Sequence, residues 1–141
     1  MASYHFHLTQ VKRSRGQSVI AQAAYRAGEK LYSTYYGESS DFTRKRGVVM
    51  AEICLPDHAP REYADRETLW NALEWAESGR KAQLAHSFDI TLMNEFSMEE
   101  NIEMVRAFVQ EELVSRGMIA DFAIHDPVRP KGAEPNPHIH I

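Results

Sequence analysis

Cysteine is nearly absent from this chain of 141 residues, its net charge is negative rather than positive, and it has no long apolar run. Each absence excludes something. A lone thiol, Cys54, has no internal partner, so no disulfide framework holds the fold, and a reducing compartment suits it. Placed between Ile53 and Leu55, it is expected to be a buried, inert thiol. No stretch reaches the roughly 18 apolar residues of a membrane-spanning helix, and the N-terminus lacks the apolar core of a secretion signal. A soluble cytoplasmic protein with no membrane insertion is therefore expected. A net charge of −4 gives no overall attraction to polyanions, so any nucleic-acid contact has to come from local clusters. With 43% hydrophobic and 26% charged residues the composition excludes disorder, and the length is that of one domain, residues 1–141, with a core of its own.

The basic residues are unevenly spread. Lys12, Arg13 and Arg15 form one cluster, and Arg44, Lys45 and Arg46 another. The segment between them decides whether they are solvated loops or phosphate contacts. Tyr4 to Thr9 alternates apolar and polar residues and predicts a first strand. Ser14 with Gln17 has the spacing of a capping box, and good helix formers follow to about Leu31. Tyr32 to Pro56 reads as a loop or irregular hairpin ending in the β-prone Val48 to Leu55. A second helix is predicted from about Arg66 to Leu84, then a strand over Ala85 to Leu92. Ser97 and Glu100 open a third helix that turns Ile102, Val105, Val109 and Leu113 inward and stops at Gly117. Ile119 to His125 and His138 to Ile141 are further strands, separated by a proline-rich loop. Because the last strand pattern is cut off at Ile141, a C-terminally truncated fragment is expected. The order is that of an α+β domain, helices packed against a mainly antiparallel sheet.

Alternation along a strand sorts its side chains between two faces. His5, His7 and Thr9 oppose Tyr4, Phe6 and Leu8; Ser87, Asp89 and Thr91 oppose Phe88, Ile90 and Leu92. Asp121 and His125 oppose Phe122 and Ile124, and His138 and His140 oppose Ile139 and Ile141. One face is thus apolar while the other gathers imidazoles and carboxylates, and a metal or acid–base site belongs on the second. His86 falls on the apolar side and His58 in a loop. A His-apolar-His spacing sets two imidazoles on one side about 7 Å apart at Cα, near enough to share an ion. That spacing occurs twice, at His5/His7 and at His138/His140. Asn136-Pro137 stiffens the entry to the second pair, which His125 faces from the preceding strand. Three neutral imidazoles with open positions suit a divalent ion acting as a Lewis acid.

On the first helix Ile20, Ala24, Ala27 and Leu31 make the apolar stripe, which leaves Tyr25 on the polar side with Ser18, Gln22 and Glu29. Tyr25 is not required by the core. Gly16-Gln17-Ser18, Ala23-Ala24-Tyr25-Arg26, Asp41-Phe42-Thr43-Arg44-Lys45, Gln83-Leu84-Ala85, Asn101 to Gly117 and Asn136-Pro137-His138-Ile139-His140 occur in that order. Together they resemble the MobA/MobL family of conjugative relaxases, and in particular the N-terminal region of TraA-type proteins, over essentially the whole chain.

The resemblance implies an HUH-endonuclease fold with helices on one face of the sheet and a metal site on the other. It matches Tyr25 to the nucleophile and His125, His138 and His140 to the metal ligands, with manganese or magnesium as the ion. The family often carries an acidic residue on the strand where Ser87 stands here, so Asp89 on the same face is the substitute catalytic carboxylate. Phosphate contacts are expected from Lys12, Arg13, Arg15, Arg26, Arg44, Lys45 and Arg46, and base stacking from Tyr32, Tyr35 or Tyr36. The activity implied is site-specific nicking and strand transfer at a plasmid origin of transfer through a 5′-phosphotyrosine, with Asp89, a histidine or water taking the phenolic proton. Single-stranded DNA, relaxosome accessory proteins and a type IV secretion coupling protein are the partners implied. A rolling-circle replication initiator shares this chemistry, and a non-catalytic DNA-binding module of the same fold would bind without a covalent adduct.

Overall fold

The computed structural model describes residues 4–141. Its elements run β1 (Phe6–Lys12), α1 (Val19–Ala27), β2 (Lys30–Ser33), β3 (Glu38–Asp41), β4 (Val48–Cys54), α2 (Arg66–Ala76), β5 (Gln83–Thr91), α3 (Met98–Glu112), β6 (Ala120–His125) and β7 (His138–His140). Five strands form one sheet in the order β1-β5-β7-β6-β4, and β2 and β3 make a separate hairpin. Every pairing is antiparallel. The shortest strand, β7, therefore lies at the centre with hydrogen-bonded neighbours on both sides, and this is what turns a three-residue segment into a rigid platform.

The mixed α+β, mainly antiparallel architecture matches the expectation from the sequence, but the layering does not. Val11, Ala85, Ser87, Asp89, Ala123 and His140 share one face by register and alternation. Onto that face, the histidine face, pack α1 and α2, burying Val11, Val19, Ile20, Ala23, Ala24 and Leu31 against Trp70 and Leu73. The opposite face is covered by α3, whose Val105 and Val109 meet Phe122, Ile124 and Ile139. Each such fully buried aliphatic or aromatic side chain contributes roughly 1.5–3 kcal/mol. Helices therefore cover both faces, and the site lies at the edge of the α1 layer instead of on a bare sheet. Sorting strand residues into apolar and polar faces missed this, because β1 and β5 change from polar to small or apolar residues on the same face once they pass beneath α1.

Several boundaries also move. Ser18, not Ser14, caps α1, its Oγ accepting from the Ala21 N–H at 3.2 Å, while Gln17 reaches back to accept from the Lys12 N–H at 2.9 Å. The helix stops at Ala27 and not Leu31, because Gly28 adopts φ 67° and donates its N–H to the Ala24 carbonyl. Val48 Cγ2 would lie 3.2 Å from a Cβ at that position, so residue 28 is constrained twice. The freed segment forms the β2–β3 hairpin, one of the two readings, loop or irregular hairpin, that the stretch from Tyr32 allows. Helix α2 ends at Ala76, and Gln83 already pairs with Lys12 in the sheet. The capping box at Ser97 and Glu100 is present in both directions.

Arg13 holds the layers together. Its guanidinium lies 3.0 Å from Glu74 Oε2, where it makes a charge contact, while Nη2 donates to the carbonyls of Glu74 and Glu77 at 2.8 and 3.0 Å. Glu74 is fully buried, and its Oε1 accepts from the Val19 N–H at the start of α1. Arg13 therefore leaves the expected set of phosphate contacts, since it is already paired with a buried carboxylate. Removing one partner of such a pair strands a buried charge, so Arg13→Ala is expected to cost about 3 kcal/mol in a urea titration. The salt dependence of single-strand binding should stay as it was; a flatter one would return Arg13 to the DNA surface.

Candidate active site

Register places the three imidazoles together. His138 on β7 is paired with Thr91 on one side and His125 on the other, and His140 with Asp89 and Ala123. Because β7 alternates, His138 and His140 point to the same face, which His125 shares from β6. The ring centroids are 5.4 Å apart for His125 and His138, 4.6 Å for His125 and His140, and 5.0 Å for His138 and His140. One ring nitrogen of each lies within 4.8 Å of the others.

The second nitrogen of each ring is engaged. His138 Nδ1 meets the Asn136 carbonyl at 2.8 Å, His140 Nδ1 meets Asp89 Oδ1, and His125 Nε2 meets the Arg26 carbonyl at 2.6 Å. Since a carbonyl or carboxylate only accepts, each of these nitrogens donates, which leaves Nδ1 of His125 and Nε2 of His138 and His140 as lone pairs. Three imidazoles so oriented fit a divalent ion with open coordination positions.

Burial of His125 pushes its imidazole down to about 4, against an ordinary 6.5, more than the Arg26 hydrogen bond raises it; the Lys45 charge, and any proton on the neighbouring His140 or His138, lower it further. Below pH 6.5 the unfolded metal-free chain binds a proton that the folded chain refuses. Stability is therefore complete above pH 6.5 and falls as pH drops toward 4, by on the order of 3 kcal/mol. Denaturant midpoints of the metal-free protein should show this slope, and His125→Gln should lose it; an equal slope in both would assign it to other groups.

Tyr25 projects from the last turn of α1 and is half exposed. The Phe42 ring stands edge-on to it at 5.3 Å, and Lys45 Nζ lies 3.4 Å from its ring centroid. The next residue, Arg26, supplies the carbonyl that orients His125, so nucleophile candidate and metal candidate are tied through one residue. A cleft of about 320 Å³ is lined by Tyr25, Arg26, Asp89, His140, Ser18, Ala21 and Gln22. A second cavity, about 310 Å³ and mostly apolar, is lined by α1, α2, the sheet and Leu113, Met118 and Ile119 after α3. Its lining includes the polar Gln22, Arg26, His86 and Asp121, of which Gln22 and Arg26 also line the first cleft.

The other expected residues fall into place separately. The Arg26 guanidinium donates to Ser87 Oγ at 2.6 Å. Burial lowers the Arg26 pKa while the charges of Asp89 and Asp121 oppose that. The hydrogen bond from His140 holds the Asp89 carboxyl below the ordinary carboxylate range, against its partial burial, so it is a poor proton acceptor. Asp121, on the imidazole side of β6, is taken up by α2: Arg66 grips it with Nε and Nη2, and the Trp70 indole N–H donates to it at 2.8 Å. His7 is the cross-strand neighbour of Asp89, but the His5 and His7 rings stack on each other and stand outside the three-imidazole cluster. Arg15, Arg44 and Arg46 are exposed, Lys12 is half-buried, and Lys45 is drawn onto Tyr25. Cys54 is half-buried, and burial with Glu52 beside it raises the thiol pKa, as an inert thiol requires. Phe42 and the Arg26 carbonyl were not singled out from sequence; a backbone oxygen leaves no sequence signal.

Comparison with known proteins identifies the fold's relatives, since the profile of the MobA/MobL family matches residues 17–141. The chain belongs to the MobA/MobL family. Within it, this MobA/MobL chain is 35% identical over its whole length to the probable mobilization protein MobA of Bifidobacterium longum, of which it covers 24%. It is 38% identical, again over its whole length, to the conjugal transfer protein TraA of Rhizobium radiobacter, of which it covers 13%. A solved structure concerned with the molecular basis of vancomycin resistance transfer in Staphylococcus aureus superposes with a TM-score of 0.87 at 34% identity, covering 99% of this chain and 68% of that one. The MobA/MobL chain thus spans about a quarter or less of the length of these two curated relatives. No helix among the described residues is long and apolar enough to cross a membrane.

Proposed function

We propose that this chain nicks one strand of DNA at an origin of transfer by transesterification onto Tyr25. The observation that carries this reading is that Tyr25 and the metal-ready imidazole His140 line one cleft with Arg26 and Asp89. A divalent ion such as manganese or magnesium, held by Nδ1 of His125 and Nε2 of His138 and His140, would withdraw charge from the phosphoryl oxygens. Asp89 orients His140 through the Nδ1–H and raises its basicity as a ligand. Arg26 lines the cleft, and its guanidinium, which donates to Ser87 Oγ through Nη2, has further N–H groups for a phosphate oxygen. The Tyr25 oxygen forms a bond to phosphorus as the phosphorus–O3′ bond breaks. The phenolic proton passes to water, because Asp89 is committed to His140, and the departing 3′ oxygen is protonated in turn. The products are a 5′-phosphotyrosine and a free 3′-hydroxyl, and the reverse step reseals the strand. Relaxosome accessory proteins and a type IV secretion coupling protein are the partners this role calls for, in a bacterial cytoplasm.

The test uses fluorescent single-stranded oligonucleotides tiled across both strands of the DNA flanking this gene, incubated with manganese and run on a denaturing gel. One strand-specific, protein-linked band is expected, and its absence from every oligonucleotide would overturn the nicking reading. Arg15, Arg44 and Arg46 supply the non-specific contacts. Replacing all three by alanine should lower the slope of log affinity against log salt by about 0.7 for each phosphate that is no longer neutralised. An unchanged slope would make them ordinary solvated side chains.

A further inference from the structure

The loop between β3 and β4 does something that the generic basic cluster expected there does not. Arg44 and Arg46 are exposed, while Lys45 between them turns back onto α1. Its Nζ donates to the Tyr25 carbonyl at 3.0 Å and lies 3.4 Å from the centroid of the Tyr25 ring. Phe42 closes a second side of that ring edge-on, and the turn is held by the Lys45 N–H donating to the Phe42 carbonyl at 2.9 Å. The far end of the loop is equally fixed. Gly47 accepts from the Asp126 N–H at 2.8 Å, and a Cβ there would lie 2.9 Å from the Pro127 Cα. The anchor thus follows directly on His125, the last residue of β6.

We infer that Lys45 is a positioning residue for the nucleophile, holding the Tyr25 ring against Phe42 and supplying fixed positive charge to its face as the phenol becomes an aryl phosphate. This rests on the nicking reading. A phosphate-binding lysine has no reason to give up solvent for a ring and a backbone carbonyl. Burial and the neighbouring Arg26 both lower the Lys45 pKa, yet the hydrogen bond to the Tyr25 carbonyl holds the ammonium over the ring. When Tyr25 releases its proton to water and bonds to phosphorus, negative charge spreads into the ring beneath the ammonium. A cation there is more strongly attracted in the transition state than in the ground state, the condition for raising a rate and not only an affinity. The hydrogen bond to the Tyr25 carbonyl fixes the ammonium beforehand, so little reorganisation accompanies the step.

Two readouts test this on the full chain. In the first, Lys45→Met and Lys45→Arg are compared with wild type in single-turnover adduct formation at saturating oligonucleotide, alongside the dissociation constant for the same oligonucleotide. Lys45→Met should slow the saturated rate by roughly thirtyfold while weakening binding no more than about threefold, and Lys45→Arg should recover most of the rate. A saturated rate unchanged in Lys45→Met, or Lys45→Arg as slow as Lys45→Met, would overturn the proposal. In the second, 3-fluorotyrosine is placed at position 25 alone and its ¹⁹F resonance followed without metal or DNA. Lys45→Met should move the line and Arg44→Met should not; a line indifferent to residue 45 also overturns it. Absence of any adduct from the wild type would defeat the nicking reading and with it the role of Lys45 in the reaction. The ¹⁹F line would still report whether the lysine holds the ring.

Discussion

Tyr25→Phe is expected to abolish the covalent protein–DNA adduct, a loss of about a thousandfold or more, while leaving the fold and single-strand affinity in place. The change removes one oxygen from a ring that is half exposed, and that oxygen makes no hydrogen bond to other described residues. Phe42 and Lys45 contact the ring and not the hydroxyl, so both contacts survive and stability should move by less than about 0.5 kcal/mol. Gel detection of the adduct, paired with fluorescence anisotropy of the same oligonucleotide, separates chemistry from binding. Adduct at wild-type level would transfer the nucleophile's role to another tyrosine. Tyr32, Tyr35 and Tyr36 are the alternatives, although all three sit in the hairpin, apart from the cleft.

The second large effect concerns the ion. Alanine at His125, His138 or His140 should weaken manganese binding by an order of magnitude or more in calorimetric titration, whereas His5→Ala and His7→Ala should leave it within about threefold. Asp89→Asn should fall between, about tenfold weaker, because it deprives the His140 Nδ1–H of a charged acceptor without removing a ligand. His125→Ala carries a further cost, since the Arg26 carbonyl loses its donor and the end of α1 its tie to β6; about 1–3 kcal/mol of stability should go with it. Retained binding in His125→Ala together with loss in His7→Ala would reverse the ligand assignment and leave the family assignment untouched.

Much of the site is legible in the sequence because it depends on period and on local chemistry. Alternation places His125, His138, His140 and Asp89 on one side of their strands, and an antiparallel register then needs only to bring the strands together. The capping box at Ser97 and Glu100 is satisfied within a single turn of helix and needs nothing from outside it. Arg13 and Lys45 escape a sequence reading for the opposite reason. Each is one of three basic residues in an exposed-looking run, and only a partner distant in the chain, Glu74 in one case and Tyr25 in the other, distinguishes it from its neighbours. The stretch from Tyr32 reads as a loop or irregular hairpin, and a hairpin forms; that the helix ends before Leu31 is marked only by Gly28, whose left-handed conformation is realised against Val48.

By itself the sequence determined the chemical inventory, a tyrosine on the polar side of a helix and two His-apolar-His pairs, together with the mixed α+β class and the family, because these are properties of residue type, spacing and order. Only the tertiary structure decided which groups orient the three imidazoles, which charges are spent inside the protein, and that helices cover both faces of the sheet. The physical reason is range. Helical and strand periodicities act over a few residues, but β7 takes its place between β5 and β6, and Lys45 its place on Tyr25, through contacts between segments that only folding brings together.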